Sequence, residues 1–320
     1  MITDKIQSFC VIGVGGHARN KIIPALLANN QVVDGLVSTQ PPSLLPLGPV
    51  FTTIESALVA LPKHTVFIVS TSPSLHFHQV RELVMAGRSV IVEKPAFISR
   101  RDSLEIATIC KAKGTFVVEG FMHRHTELYK RFLAYWFFHR HQIQTLDATF
   151  CLPDLPANTF RQNRAIESSS LYDMGCYALS LLTDLMLPLT NLRIVHVSQL
   201  HSVFEKISIL GEIDGIVISI QIGSSTVYQN TIELRTHDGT TARFSPFFYG
   251  RPSERLITLS SLGGIKSETL IENNAYETMF LVPRSRWLMD QVDRSASIVE
   301  VATCLEKLGK ELLFFRQSEL

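Results

Sequence analysis

The chain has 320 residues, of which 46% are hydrophobic and 18% charged, with a formal net charge of +1. That composition fits a globular chain of about two domains, excludes a disordered one, and offers no basic field for a nucleic-acid partner. No apolar run reaches bilayer-spanning length, and no charged segment followed by a long apolar stretch opens the chain. The five cysteines (Cys10, Cys110, Cys151, Cys176 and Cys304) are scattered without a C-x-x-C pair, so buried thiols in a reducing cytoplasm are expected.

Phe9-Cys10-Val11-Ile12 reads as a buried strand, and Ile22, Ile23, Leu26 and Leu27 repeat at helix spacing after it. Between them Gly13, Gly15 and Ala18 stand in G-x-G-x-x-A spacing. In dinucleotide folds the first Gly permits the tight turn, and the second lets a pyrophosphate approach the backbone. The third small residue lets helix pack on strand. The phosphates then lie at the positive end of the helix. A second strand, 32–37, ends in Ser38-Thr39-Gln40. An NAD-binding chain usually carries an acid there for the ribose 2′-hydroxyl, and an NADP-binding chain an Arg. Asp34 falls too early, mid-strand, and no Arg follows. Ser38 and Thr39 can hydrogen-bond a 2′-phosphate, so the reading leans to NADP, with NAD the alternative. The stretch Pro41-Pro42-Ser43-Leu44-Leu45-Pro46-Leu47-Gly48-Pro49 cannot form a regular helix. The second crossover helix is therefore expected to be missing or replaced by a loop.

A short helix over 54–61, a strand over 65–70 and a helix from Pro73 to Ala86 follow, with Ser72 as N-cap and Gly87 as stop. A strand over 89–92 runs into Glu93-Lys94-Pro95; then come a helix over 102–113, closed by Gly114, and a strand over 115–118. This alternation predicts a parallel doubly wound sheet over 1–120. Beyond it the pattern changes. Helices are expected over 127–141 and 168–186, a strand over 146–151, and β-rich segments from 192 to about 271. Several of these alternate apolar and polar residues, as antiparallel strands covered on one face do. His237-Asp238-Gly239 reads as a hairpin turn. A helical region begins at Glu277–Leu281, and an amphipathic helix spans 297–314. Residues 1–120 and 121–320 are the expected domains.

Lys94 lies at the carboxyl end of a parallel strand, where α/β sheets bind ligands; position alone leaves it equally a solvated surface lysine. Asp173 and Tyr177 are four apart on one predicted helix and share a face, off the apolar stripe of Leu171, Met174, Ala178, Leu181, Leu182 and Leu185. They are either an ordinary polar face with a half-buried aromatic or a proton-exchanging pair. A free phenol has a pKa of about 10, and a nearby ammonium lowers it; Lys94 is the candidate if the two halves face each other. H-x-H pairs occur at 76/78, 123/125 and 139/141. Two of them fall in predicted helices, where such residues do not face each other, and no carboxylate or Cys joins them at ligand spacing. No metal site is expected. The aromatic and basic stretch 129–140 reads as a packed or subunit-contacting helix rather than a membrane-surface one. No G-x-S-x-G, H-E-x-x-H or Walker loop is present, which removes hydrolase and kinase readings.

In order along the chain, G-V-G-G-H-A at 13–18, S-P-S-L-H at 72–76, A-G-R-S-V-I-V-E-K-P at 86–95, E-G-F-M-H-R-H at 119–125 and L-Y-D-M-G-C-Y at 171–177 resemble the glucose–fructose oxidoreductase/inositol dehydrogenase (Gfo/Idh/MocA) family. The resemblance implies an α/β chain. An N-terminal Rossmann domain precedes a C-terminal α/β domain whose open, mostly antiparallel sheet joins subunits in a homo-oligomer, a dimer or tetramer. It implies that Gly13, Gly15, Gly16, His17, Ala18, Ser70, Thr71, Ser72, Pro73, His76, Glu93 and Lys94 line the cofactor, alongside Ser38 and Thr39. It further implies that Lys94 and Tyr177 work at the nicotinamide and that Asp173, Arg161 and His123 meet the substrate. A cis Lys94–Pro95 bond is implied as well.

Tyr177, where many members carry His, looks like the branch holding sugar-nucleotide 3-ketoreductases, glucose–fructose oxidoreductase and dihydrodiol dehydrogenases. F-R-Q-N at 160–163 and Y-Q-N-T-I-E-L at 228–234 are most similar to the 3-ketoreductases. Ser168-Ser169-Ser170-Leu171 replaces the family's G-G-G-A-L, and His123 replaces a tyrosine. The expected protein is an NAD(P)-dependent oxidoreductase acting on a sugar or sugar nucleotide. The alternatives are a non-catalytic dinucleotide-binding regulatory subunit and a dihydrodiol or free-sugar dehydrogenase.

Overall fold

In the computed structural model, which describes residues 6–40, 48–153, 168–200, 203–224 and 226–318, the strand–helix alternation of the first half forms one parallel sheet. The chain divides into two units. The first holds Met1–Phe121 and Tyr276–Ala302, and the second Met122–Ala275 and Thr303–Leu320.

In the first unit β1 (Ser8–Ile12) is followed by a π-helical turn, Ala18–Ile22, that runs into α1 (Ile23–Ala28). Pro24 accounts for the wide turn. Its ring excludes the carbonyl four residues back, and the Ile23 N–H reaches five residues back to Ala18. Next come β2 (Val32–Val37), β3 (Val50–Phe51) and α2 (Ile54–Ala60), whose first turn is capped by the Thr53 side chain. Then follow β4 (Val66–Val69), α3 (Pro73–Met85), β5 (Val90–Val92), α4 (Arg100–Lys113) and β6 (Val117–Glu119). Ser72 and Pro73 open α3, and Gly114 ends α4 in the left-handed conformation, as their residue types predict. The strand order is β3-β2-β1-β4-β5-β6, all parallel. Connections reverse direction between β1 and β4, which is where such sheets bind ligands. Val66, Phe67, Ile68 and Val69 are all buried, as in a strand covered on both faces. The proline-rich stretch expected to replace a helix falls largely on residues 41–47, outside the described residues.

The second unit opens with a 3-10 turn, Met122–His125, and α5 (Glu127–His139). Then come β7 (Ile143–Cys151), a π-helical turn Leu171–Gly175 and α6 (Cys176–Asp184). Seven strands follow: β8 (Arg193–Leu200), β9 (Val203–Ile213), β10 (Ile216–Gly223), β11 (Gln229–Thr236), β12 (Thr241–Ser245), β13 (Ser253–Ser261) and β14 (Gly264–Glu272). They form one sheet in the order β14-β13-β12-β11-β7-β10-β9-β8. It is antiparallel except for the β7–β10 pair. Period-two alternation fixes its faces: Ile218, Ile220 and Ile222 are fully buried, while Val217, on the opposite face, is 45% exposed.

The chain then returns to the first unit with α7 (Ala275–Phe280) and α8 (Arg284–Met289). There Phe280 meets Phe9 at 5.7 Å and Trp287 meets Phe116 at 5.5 Å. The last helix, α9 (Gln291–Ser318), is longer than its amphipathic pattern predicts. Ile298 and Ala302 pack in the first unit's core. Leu305, Leu308 and Leu312 are buried in the second. All five cysteines are buried. Among the described residues no helix is long and apolar enough to cross a membrane.

Candidate active-site residues

The glycine turn after β1 is held from two sides. The Gly13 N–H donates to the Val37 carbonyl at 3.1 Å, and the Ser70 N–H donates to the Ile12 carbonyl at 2.8 Å. Gly13 has φ +83°, and a Cβ there would lie 2.5 Å from Thr71 Cγ2 and 2.9 Å from the Ser70 carbonyl oxygen. A side chain is thus excluded twice, by conformation and by space. Gly15 differs: a Cβ there would meet nothing within 4 Å. Its backbone faces open space at the start of the helix. An open backbone cradle at a helix N-terminus, at the point where strand order reverses, fits a pyrophosphate.

The loop after β5 is fixed from several elements. The Lys94–Pro95 bond is cis. The Glu93 N–H donates to the Val69 carbonyl at 2.9 Å, and the Glu93 carboxylate meets His17 Nε2 at 3.0 Å. The Ala96 N–H donates to Glu119 Oε1 at 2.7 Å. His76 Nδ1 lies 2.9 Å from the Pro95 carbonyl and its Nε2 lies 3.1 Å from the Thr71 carbonyl. Burial pushes the His76 imidazole down, toward the neutral ring that donates from one nitrogen only. Burial would push the Glu93 carboxyl up, but His17, Lys94 and His76 outweigh it and hold it below the usual carboxylate range. Lys94, half-buried, sits in the middle of this frame.

His76 stands in a different place from the one expected. Its ring is fully buried between the Thr71 and Pro95 carbonyls, and in the neutral form it donates to one of the two. Thr71 and Ser72 spend their hydroxyls locally, on Gln79 at 2.6 Å and Ser74 at 3.2 Å. Asp34 accepts from the Thr65 hydroxyl at 2.5 Å, which takes it away from the end of β2. Glu119 is a tether that no motif argument picked out, although it opens the E-G-F-M-H-R-H stretch.

In the second unit, residues 168–182 are buried throughout. The expected polar helix face does not exist, because this helix is covered on every side. Gly175 allows the close approach: a Cβ there would lie 3.1 Å from Ile222 Cδ1 of the sheet. Asp173 is 4% exposed and Tyr177 6%; Asp173 lies in the wide π-helical turn that leads into the helix bearing Tyr177, a feature frequent at functional sites. The Tyr177 ring is held by His123 at 5.2 Å, Phe150 at 5.4 Å and Phe248 at 5.6 Å. Its hydroxyl lies 3.7 Å from Met122 Sδ.

His123, expected at the substrate, has no exposed surface. Tyr129 and Phe248 enclose it with Tyr177, and burial holds its pKa well below the ordinary value. It serves as a neutral wall behind Tyr177. The neighbouring Arg124 forms a bidentate pair with Asp184 at 2.8 and 3.0 Å and reaches the Ser180 carbonyl at 3.2 Å; the Tyr129 hydroxyl also donates to Asp184. This cluster locks the 3-10 turn onto α6. Arg161 and the F-R-Q-N segment lie outside the described residues.

A family model described as an oxidoreductase family with an NAD-binding Rossmann fold (GFO_IDH_MocA) matches residues 8–121. Over residues 8–121 the chain is similar to the NAD-binding Rossmann domain of that family. Among curated proteins, a dTDP-3,4-didehydro-2,6-dideoxy-α-D-glucose 3-reductase of Streptomyces antibioticus is 24% identical over 183 residues, 53% of this chain and 54% of that protein. The match thus spans about half the length of the curated relative. Among solved structures, the 3-ketoreductase KijD10 of Actinomadura kijaniata, in complex with NADP and TDP-benzene, superposes with a TM-score of 0.81 at 16% identity, covering 96% of this chain and 98% of that one. An aldose–aldose oxidoreductase of Caulobacter crescentus, complexed with glycerol, gives 0.77 at 17% identity, covering 96% and 97%. These likenesses show a shared fold that extends past residues 8–121 into the second unit.

Proposed function

We propose that the chain is an NAD(P)-dependent oxidoreductase that passes a hydride between nicotinamide and a carbon of a sugar or sugar nucleotide bearing a ketone or hydroxyl. The observation that carries the reading is the open backbone at Gly15, at the strand-order reversal of the sheet and beside the anchored Lys94 loop. The first unit holds the dinucleotide and the second the substrate. NAD(P) supplies the hydride acceptor or donor. Tyr177, its ring fixed by three neighbours, gives or takes the proton on the substrate oxygen. Lys94 supplies an ammonium that stabilises charge on that oxygen and favours the ionised phenol. Asp173 orients a neighbouring hydroxyl. The substrate class is supported by the named reaction of the Streptomyces relative and by the TDP-benzene in complex with the 3-ketoreductase KijD10. We also assign the exposed face of the second unit's sheet, which presents Val195, Leu210 and Val217, to a homo-oligomer contact; sedimentation as a monomer at micromolar concentration would exclude it.

The test is NADPH oxidation with a panel of 3-keto sugar nucleotides, free keto sugars and, in reverse, trans-dihydrodiols. Turnover of a keto sugar nucleotide that falls by about 100-fold or more in both Lys94→Met and Tyr177→Phe supports the reading. Normal turnover in both variants contradicts the assigned roles. Absence of turnover across the panel, in a protein that binds the cofactor, favours the non-catalytic regulatory subunit.

A further inference from the structure

The end of β2 carries neither the acid of an NAD site nor an arginine of its own. The fold brings an arginine there from another element. Arg19 stands in the first helical turn after the glycine cradle, half-buried. Its Nε donates to the Val14 carbonyl at 3.1 Å, which fixes the plane of the guanidinium. Its Nη2 donates to the side-chain oxygen of Gln40. The Gln40 N–H in turn donates to the Ser38 hydroxyl at 3.1 Å. The chain Arg19–Gln40–Ser38 therefore runs from the dinucleotide helix to the end of β2. Among the described residues no carboxylate pairs with Arg19, and Asp34 is engaged by Thr65. A fixed guanidinium with neutral partners and donors to spare is thus positioned where a Rossmann fold presents the adenosine ribose.

We propose that Arg19 receives the adenosine 2′-phosphate of NADP(H) and sets the preference for it over NAD(H). The inference rests on the reading that the first unit binds a dinucleotide. A guanidinium pairs a phosphate through short, charge-assisted, often bidentate hydrogen bonds, while the uncharged 2′-hydroxyl of NAD gains little from it. The Gln40 amide holds the Nη2 donor that a phosphate oxygen takes over, and the Ser38 hydroxyl is a second donor. Arg19 is not legible in β2 itself, because it lies 21 positions before its partner Gln40.

The experiment is a titration of the full chain with NADPH and NADH by nicotinamide fluorescence. Adenosine 2′,5′-bisphosphate and AMP serve as probes without nicotinamide, followed calorimetrically. The wild type should prefer NADPH and the bisphosphate. Arg19→Leu should weaken both by about 10- to 100-fold, since a hydrogen bond to a charged group is being removed, and leave NADH and AMP within about 3-fold. Arg19→Lys should recover part of the loss. Arg19→Gln, which keeps a donor for Val14, covers the case in which the Leu variant fails to fold. Equal loss of NADPH and NADH in the folded variants makes Arg19 a structural tether and overturns the proposal, as does a wild type that binds both dinucleotides equally. A folded wild type that binds neither dinucleotide overturns the dinucleotide reading itself.

Discussion

Substituting Gly13 and Gly15 separately divides what the fold needs from what the cofactor needs. In Gly13→Ala the new methyl is forced to 2.5 Å from Thr71 Cγ2 and 2.9 Å from a backbone oxygen, at φ +83°. The left-handed conformation costs about 1–2 kcal/mol for a residue with a Cβ. Overpacking against atoms that cannot all move costs about 1–3 kcal/mol more. The first unit should lose roughly 2–5 kcal/mol, a drop in Tm on the order of 5–15 °C. In Gly15→Ala the methyl points into open space and the backbone is not left-handed, so stability should stay within about 1 kcal/mol. Dinucleotide affinity should nevertheless fall by about 10-fold or more, because the methyl stands where the pyrophosphate must approach. Urea unfolding reports the first unit through Trp287 in a Trp136→Phe background, since the two tryptophans lie in different units. Wild-type stability in Gly13→Ala would refute the packing argument. Wild-type NADPH affinity in Gly15→Ala would refute the assignment of the open space to a cofactor.

Asp184→Asn removes the carboxylate that pairs with the buried Arg124 guanidinium and should destabilise the second unit by about 3 kcal/mol. Urea unfolding followed at Trp136, in a Trp287→Phe background, checks this; a change under about 1 kcal/mol would contradict it. His123 has a folded-state pKa pushed down by burial. The unfolded chain therefore takes up the proton first, and stability falls as pH drops below about 6.5, by up to about 1.4 kcal/mol per unit. His123→Phe, which keeps the ring packing, should flatten that slope; an unchanged slope would show that the ring titrates normally. Glu93 has the opposite sign of charge and a lowered folded-state value. Its contribution is present above about pH 4.3 and is lost as pH falls through the folded value. Glu93→Gln should remove part of the acid limb of the first unit's stability profile, and an acid limb identical to wild type would contradict the His17–Glu93 pairing.

Local patterns in the chain carried the fold a long way. The Gly13–Ala18 turn, the Ser72-Pro73 and Gly114 helix ends and the 237–239 hairpin are set by the conformational preferences of a few adjacent residues, and each is visible in sequence. The alternation at Ile216–Gly223 fixes both strand and face in the same way. What stayed hidden depends on contacts distant in sequence. Nothing local in 276–302 signals that Phe280 and Trp287 pack with β1 and the start of β6. β3, two residues long, is too short to leave a periodic pattern. The helix bearing Asp173 and Tyr177 reads as amphipathic because Asp173, Ser180 and Asp184 are polar, yet it is enclosed on all sides. Its polar groups are accommodated by partners such as Arg124, which is 60 residues away from Asp184. His76 and His123 were visible as motif residues, but sequence spacing says nothing about burial. Burial is what sets one between the Thr71 and Pro95 carbonyls and makes the other a wall behind Tyr177. Arg19 escaped for the same reason, its partner lying across the turn at the end of β2.

The proposed function requires first of all that the first unit bind a nicotinamide dinucleotide at the Gly13–Ala18 turn in order to deliver a hydride. Titrating the purified, folded chain with NADPH and NADH while following nicotinamide fluorescence tests it most directly. Saturable binding with NADPH preferred is the predicted result, whereas a folded chain that leaves the fluorescence of both dinucleotides unchanged would contradict the account.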